Sequence, residues 1–254
     1  MTSTGIEINQ SPRSDPRERI IVALDVDDTS AADRLVEQLA GRTGAFKVGL
    51  QLFTNAGPGY VRELSGRGLN VFLDLKYHDI PNTVAGAVVE AAKLGVWMVN
   101  VHALGGGEMM RRAAAELREH CERTGQRAPI LIGVTVLTSS DDAALREVGI
   151  GARAEDEVLT LAALARRSGL DGVVASPREA AAIRSTISDG DLVIVTPGVR
   201  PPSSASDDQK RVSTPAEAIR SGADYLVIGR PITASNDPAA ALEAIVGDLG
   251  ELSK

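Results

Sequence analysis

Three charged residues, Asp74, Lys76 and Asp79, stand close together in the segment DLKYHDIPNT. The apolar run NVFLDLK leads into this segment and predicts a β-strand. Alternate residues of a strand share a face, so Asp74 and Lys76 are expected to enter one pocket. Neighbouring carboxylates would hold Lys76 as an ammonium ion, which can stabilise a carbanion and then donate a proton to it. The alternative is a structural ion pair at the end of the strand.

Two more charged residues, Asp25 and Lys47, lie in or just after predicted strands. Lys47 stands in FKVGL, and Asp25 stands in IIVALDV. Lys47 can tie the carboxylates into an alternating network, or it can be a solvated lysine whose stem covers apolar surface. The Asp25 carboxylate can accept hydrogen bonds from sugar hydroxyls, or it can cap the following loop. The residues alone leave both alternatives open.

Glycine and arginine pairs follow the last two predicted strands. Pro197 and Arg200 belong to TPGVR, and Gly229 and Arg230 belong to IGRPIT. In many β/α barrels these two loops hold phosphate, because glycines let the backbone approach and helix N-termini supply amide donors. Arginine adds two parallel donors. Each pair alone is typical of an ordinary turn, but their matching positions favour a phosphate site.

The remaining polar candidates are hydroxyls and histidines. Thr138 and Ser139 follow the fifth predicted strand and can either bond a substrate ring or cap a helix. His78 stands beside the charged cluster, His102 ends the fourth predicted strand, and His120 is placed on a polar helix face. No histidine has a partner at metal-ligand spacing, so structural or supporting roles and no metal site are predicted.

The elements that must position these residues alternate regularly from Ile20 onward. Short β-branched runs are separated by Ala-rich amphipathic segments, which predicts a parallel sheet with helices packed against it. The eight runs are IIVALDV, FKVGL, NVFLDLK, VWMVNVHA, PILIGVTVL, GVVAS, LVIVTPG and DYLVIG. The candidate residues follow many different strands, as in barrel enzymes, whereas a doubly wound sheet concentrates its site at one switch point. The prediction is therefore an α/β protein with a (βα)8 TIM barrel.

Length, composition and charge limit the remaining possibilities. The 254 residues match the size of one such barrel, at about 250 residues. Residues 1–18 are polar and predict a disordered tail before a single catalytic domain at 19–254. The net charge of −7 disfavours nucleic acid, and no apolar run is long enough to predict a membrane span. A lone Cys121 suits a reducing, cytoplasmic location.

Together these segments resemble the orotidine 5′-phosphate decarboxylase family in its short bacterial form. The resemblance runs from Ile20 to about Thr233, and DLKYHDIPNT is its most specific part. It implies decarboxylation of orotidine 5′-phosphate to UMP and carbon dioxide, the last step of UMP synthesis. It further implies that no metal or other cofactor takes part and that the enzyme is a homodimer.

The resemblance also implies a role for each candidate residue. Lys76 would protonate the vinyl carbanion, and Asp74, Lys47 and Asp79 would complete the charged array. The implied substrate contacts are Asp25 and Lys47 at the ribose, Thr138 and Ser139 at the pyrimidine, and Gln209, Gly229 and Arg230 at the phosphate, with Pro197 and Arg200 beside them. Asp79, Ile80 and Thr83 would reach into the partner subunit's site.

Two other functions share parts of this sequence pattern. Sugar-phosphate decarboxylases and aldolases of the same superfamily also carry Asp-x-Lys-x-x-Asp, but they place a carboxylate on the second strand to hold magnesium. Lys47 occupies that position here and would repel the metal. The other alternative is a catalytically inactive barrel that binds a phosphorylated ligand. The serine-rich stretch at 202–206 departs from the family pattern and is predicted to be part of a lid that carries Gln209.

Overall fold

The structure, a computed structural model, describes residues 15–187, 192–201 and 213–253. Eight parallel strands pair in chain order and close into a barrel, which confirms the predicted (βα)8 TIM barrel. The strands are β1 Ile20–Ala23, β2 Ala45–Gly49, β3 Val71–Tyr77, β4 Met98–His102, β5 Ile130–Val134, β6 Gly172–Val174, β7 Val193–Pro197 and β8 Tyr225–Ile228. Every predicted apolar run overlaps one of these strands.

The α-helices of the described chain surround the barrel, and most follow a strand directly. They are α1 Thr29–Leu39, α2 Leu50–Gly66, α3 Pro81–Lys93, α4 Gly106–Thr124, α5 Asp142–Glu147, α6 Ala154–Arg167, α7 Pro177–Thr186, α8 Pro215–Arg220, α9 Arg230–Thr233 and α10 Pro238–Gly250. The sequence patterns did not single out α2, because Gly57 and Pro58 interrupt it. Gly57 has a φ of 69° and kinks the helix at that point.

Two predicted strands extend three residues beyond the observed C-terminal ends. The run that contains β1 continues to Val26, and the run that contains β5 continues to Leu137. Val136 and Leu137 line a cavity at the mouth of the barrel instead of pairing with a neighbouring strand. Their apolar character therefore reflects contact with this cavity.

Alternation along the strands sorts the barrel into an apolar floor and a charged upper layer. The floor contains Ile21, Ala45, Phe72 and Met98, which point inward and pack together. The next inward positions toward the strand ends of β2, β3 and β4 carry Lys47, Asp74 and Asn100. The outward positions pack against the small residues of the helices in one continuous core. Within the described barrel interior, the charged side chains thus lie in the layer above the apolar floor, on the side of the C-terminal strand ends.

The start of the described chain is tied to its C-terminal helix. Pro16–Arg19 form a 3-10 turn capped by Asp15, and the Arg17 guanidinium lies 2.7 Å from the Glu243 carboxylate of α10. Residues 15–18 of the predicted tail therefore belong to the described structure, whereas residues 1–14 lie outside it.

Two aspartates, one before β6 and one before β8, each make two hydrogen bonds to the strand that precedes them, and we call this arrangement a clamp. The Asp224 backbone N–H donates to the Ile194 carbonyl at 2.9 Å, and its carboxylate accepts from the Ile194 N–H at 2.7 Å. Asp171 makes the same two bonds with Leu131. The Asp224 carboxylate also lies 2.6 Å from the Arg184 guanidinium, which ties α7 to the base of the barrel.

We expect Asp224→Ala to lower the free energy of unfolding by about 2 kcal/mol, because it removes a charged acceptor from a strand N–H and from Arg184. Chemical denaturation at neutral pH measures the change. Asp248→Ala is the control, since Asp248 is exposed on α10 and its loss is expected to change stability by less than about 0.5 kcal/mol. Equal stability of the two variants would contradict the clamp.

Candidate active site

A cavity opens at the C-terminal ends of the strands. Its volume is about 460 Å³, which is in the range of a small-molecule site. Inward side chains of the strands form its base, and residues just after the strands form its wall. Of the predicted site residues, it is lined by Asp25, Lys47, Asp74, Lys76, Thr138, Pro197, Arg200, Gly229 and Arg230.

Four of these side chains form a chain of alternating charge. The Lys47 ammonium lies 2.8 Å from Asp25 Oδ1 and 3.4 Å from Asp74 Oδ2. The Lys76 ammonium lies 2.6 Å from Asp74 Oδ1. Lys47 is buried, which excludes the solvated lysine, and Asp25 is bonded to Lys47 while Asp28 caps α1. The chain of charges therefore joins Lys47, Asp74 and Lys76 of the predicted array, and it includes Asp25, which was predicted as a ribose contact, instead of Asp79.

Gly49, at the end of β2, makes room for this network. A Cβ at this position would stand 2.9 Å from Lys47 Nζ and 3.2 Å from Asp25 Oδ1. The absence of a side chain lets the Lys47 ammonium reach both carboxylates from a buried position.

The Asp74 carboxylate is the centre of the network. Its side chain is only 13% exposed, and burial alone would raise its pKa. The ammonium groups of Lys47 and Lys76, with hydrogen bonds from Lys76 and Asn100, outweigh burial and hold the pKa of Asp74 below its ordinary value. Asp74 is therefore an anion at neutral pH, and its carboxylate pairs with the Lys76 side chain.

The backbone at Lys76 departs from regular strand geometry. Leu73 pairs with Val99 and Tyr77 with Val101, so four residues of β3 advance against two of β4. Within this bulge Lys76 has a φ of 51°, the only positive φ of a non-glycine residue in the described chain. Such a conformation is unfavourable for lysine and points to a local constraint. Asp74 and Lys76 share one pocket as expected, but Lys76 enters it from this bulge and not by the regular alternation of a strand.

Asn100 is the site residue that the sequence patterns missed. It is fully buried at the centre of β4 and lines the cavity. Its Nδ2 donates to Asp74 Oδ1 at 2.6 Å, and its Oδ1 accepts from the Lys76 N–H at 2.8 Å. The available signal was a polar residue between two valines, at an inward position of the strand.

The opposite side of the cavity is positively charged. Arg200 follows β7 and Arg230 begins α9 after β8, while β7 lies four strands around the ring from β3. Among the described residues, neither guanidinium has an ion-pair partner. Pro197 and Gly229 form the adjoining wall. The cavity thus offers two guanidiniums to an anion, away from the ammonium of Lys76.

The hydroxyl loop after β5 lies between these two sides. Thr138 lines the cavity, and Ser139 lines a second hollow of about 700 Å³ that shares Thr138 and Pro197 with the first. Asp141, not one of these hydroxyls, caps α5 with its carboxylate. The helix-capping alternative for Thr138 and Ser139 therefore does not hold.

Four predicted site residues of the described chain do not line this cavity, namely Ser139 and, beyond the end of β3, Asp79, Ile80 and Thr83. Asp79, Ile80 and Thr83 are exposed at and after the end of β3, and the Asp79 carboxylate accepts from the Ile80 N–H at 2.6 Å. The cavity of the single chain thus contains two carboxylate–ammonium pairs without Asp79. Gln209, with the serine-rich stretch, lies outside the described residues.

Comparison with known proteins decides the family. A model of the Orotidine 5′-phosphate decarboxylase / HUMPS family matches residues 18–245. The chain belongs to this family.

Relatives and solved structures of the family cover nearly the whole chain. An orotidine 5′-phosphate decarboxylase of Moorella thermoacetica is 56% identical over 93% of this chain and 94% of the relative. One of Syntrophotalea carbinolica is 53% identical over 92% and 95%. A crystal structure of the enzyme from Lactobacillus acidophilus superposes with a TM-score of 0.80 at 40% identity, over 91% of this chain and 98% of that one.

Two of the histidines lie beside the site, and the third is buried on a helix. His78 and His102 stack beside the site with ring centroids 5.6 Å apart. Burial, with the nearby His78 and Lys76, lowers the pKa of His102 to about 4. His120 is not on a polar face as predicted, but is buried on α4, because its spacing from Ala113 and Leu117 puts it on the apolar stripe.

No cluster of three or more His, Cys, Asp or Glu residues with the geometry of a metal site occurs in the described chain. Within the same residues, no helix has the length and apolar character needed to cross a membrane.

Proposed function

We propose that this protein catalyses the decarboxylation of orotidine 5′-phosphate to UMP and carbon dioxide, the final step of UMP synthesis. The observation that carries the proposal is the Lys76 ammonium, 2.6 Å from the buried Asp74 carboxylate, in a cavity whose opposite side carries Arg200 and Arg230. The names of the relatives that cover almost the whole chain support the same reaction.

In this reaction the bond between ring carbon 6 and the carboxylate breaks, and carbon dioxide leaves. The electron pair stays on the ring carbon in an orbital that the ring's π system does not absorb. Lys76 stabilises this negative charge with its ammonium group and then transfers one proton to the carbon, which forms the C–H bond of UMP. The neutral amine regains a proton from solvent, and the electrons balance without a cofactor.

The phosphate contacts contribute at a distance from the reacting carbon. Arg200 and Arg230, with the backbone at Gly229, hold the phosphate, while Asp25 and Lys47 hold the ribose and Thr138 and Ser139 the pyrimidine. Such remote contacts place the carbon against Lys76, so that binding energy is used in the transition state. Gln209 completes the phosphate site in this proposal.

The rival magnesium-dependent reaction is disfavoured by the position of Lys47. Its ammonium stands between Asp25 and Asp74, 2.8 and 3.4 Å from their oxygens. A divalent cation between these carboxylates would meet a fixed positive charge at the same place. The network is therefore suited to an ammonium and not to a metal.

The proposal includes a homodimer in which Asp79, Ile80 and Thr83 enter the partner subunit's site. These residues lie outside their own chain's cavity, at the end of the barrel where other apolar side chains are exposed. Ile80 is 66% exposed, and Leu50 and Leu104, which follow the neighbouring strands β2 and β4, are 58% and 40% exposed. An apolar rim of this kind beside an active site favours association of two copies.

The remaining parts of the proposal concern the cell and the chain ends. A cytoplasmic location is supported by the single cysteine of the sequence, Cys121, which cannot form an internal disulfide. The net charge of −7 disfavours nucleic acid as a partner. The barrel is the one catalytic domain, and the polar residues before it are a tail.

Substitution of Lys76 and of Arg230 is expected to separate chemistry from phosphate binding. Lys76→Ala removes the proton donor and should lower kcat by at least about 10²- to 10⁴-fold. Arg230→Ala removes a charged hydrogen bond and should lower kcat/KM by the equivalent of about 1.5–3 kcal/mol. The loss of ultraviolet absorbance as orotidine 5′-phosphate becomes UMP measures both.

The matched control is Arg127→Ala, because Arg127 is exposed before β5, at the end of the barrel away from the cavity, and lines neither hollow. It should leave the kinetics unchanged. A wild-type protein that is inactive on orotidine 5′-phosphate, or an active Lys76→Ala variant, would refute the proposed function.

Mixed subunits test whether Asp79 serves the partner's site. Lys76→Ala and Asp79→Ala chains are partially unfolded together and allowed to exchange. In a mixed dimer one site receives both substitutions and the other is wild type, and random exchange makes half of the dimers mixed. Activity should therefore recover to about a quarter of wild type, far above either parent.

The control is each variant carried through the same procedure alone. Mass spectrometry establishes that mixed dimers have formed. Mixed dimers whose activity stays at the parental level would mean that Asp79 acts within its own chain.

A further inference from the structure

We propose that Asn100 is a positioning residue that holds the Lys76 backbone and the Asp74 carboxylate in one fixed arrangement. This inference rests on the proposed function, because its effect is read as the rate of proton transfer from Lys76. It goes further by assigning the orientation of the proton donor to an amide on the neighbouring strand.

The amide of Asn100 is completely buried and both of its ends are used. Its relative exposure is 0%, so an unpaired amide would be costly there. The Oδ1 atom accepts from the Lys76 N–H at 2.8 Å, and the Nδ2 atom donates to Asp74 Oδ1 at 2.6 Å. A single side chain thus bonds the backbone of the donor residue and the carboxylate that pairs with its ammonium.

The bulge in β3 explains why the Lys76 N–H needs this partner. Lys76 is not paired in register with any residue of β2 or β4, since the pairing passes from Leu73 directly to Tyr77. The N–H that the bulge removes from the ladder is satisfied by the Asn100 side chain. The same bond opposes relaxation of Lys76 from its φ of 51° to the extended conformation.

The contact with Asp74 fixes the other end of the arrangement. Asp74 Oδ1 accepts from both Lys76 Nζ and Asn100 Nδ2, each at 2.6 Å. With two donors on one oxygen and Lys47 beside the other, the carboxylate has a single favoured rotation. The Lys76 ammonium is then located by its own backbone and by a carboxylate that does not turn.

Only an amide meets both requirements at this position. A carboxylate of the same shape would still accept from the Lys76 N–H, but its second oxygen would face Asp74 and repel it. An alanine would leave both the N–H and the carboxylate without this partner. The variants Asn100→Asp and Asn100→Ala therefore separate the two hydrogen bonds.

The test combines kinetics with amide hydrogen exchange. We expect Asn100→Ala to lower kcat by about 10- to 100-fold, in the range of a lost charge-assisted hydrogen bond, and to change KM by less than about threefold because the phosphate contacts remain. Asn100→Asp should lower kcat to a similar degree. Exchange at the Lys76 amide should be slow in wild type and in Asn100→Asp, and fast in Asn100→Ala.

Thr135→Val is the matched control. Thr135 is also fully buried, on the chain just after β5, and its hydroxyl donates to the Val174 carbonyl at 2.8 Å without contact to the charged network. It should lower stability as Asn100→Ala does and leave kcat unchanged. A kcat loss in the control equal to that in the Asn100 variants would mean that Asn100 acts only through stability.

The inference is overturned if both Asn100 variants retain kcat within twofold of wild type. If either variant is insoluble, the test is the rate of hydrogen exchange at the Lys76 amide of the wild-type protein. Rapid exchange there contradicts the proposal. An inactive wild-type protein would instead refute the proposed function, while slow exchange at Lys76 would still support the geometry.

Discussion

The buried Asp74 carboxylate, held between two ammonium groups, is the interaction on which the site depends. A single charge at this depth would be strongly unfavourable, and burial alone would push Asp74 toward its neutral form. Lys47 and Lys76 reverse that tendency, and Asp25 neutralises the far side of Lys47. Because the signs alternate, each charge is compensated by its neighbours. Removal of any one of them leaves an uncompensated charge in the barrel.

The barrel supplies the depth and the directions that this network requires. Inward residues of the first strands build an apolar floor, and the residues one step nearer the strand ends carry the charges. Ring closure brings the arginines after β7 and β8 to the side opposite Lys76. A substrate that spans the cavity therefore meets cations at two places, one suited to phosphate and one to a reacting carbon.

Sequence patterns predicted the barrel and most of the cavity wall because both depend on periodicity. The alternation of strand residues predicted that Asp74 and Lys76 enter one pocket. The matching Gly-Arg pairs predicted the arginine-lined side of the cavity. Asn100 was missed because nothing in its own strand indicates that a bulge in the neighbouring strand leaves the Lys76 N–H without a backbone partner. His120 was misplaced because the charged residues around it conceal the helical spacing to Leu117. The proposed role of Asp79 requires a second chain, which no pattern within one chain describes.

The ionisation of Asp74 is the property that tests this account most directly. Carbon-13 NMR of labelled aspartate, assigned by comparison with Asp74→Asn, follows its carboxyl as the pH is lowered. The account predicts that Asp74 remains largely ionised at a pH of about 4, close to the ordinary aspartate value near which other carboxylates are about half protonated. A carboxyl that gains its proton at or above that pH would show that the two lysines do not hold Asp74 as an anion, and would contradict the account.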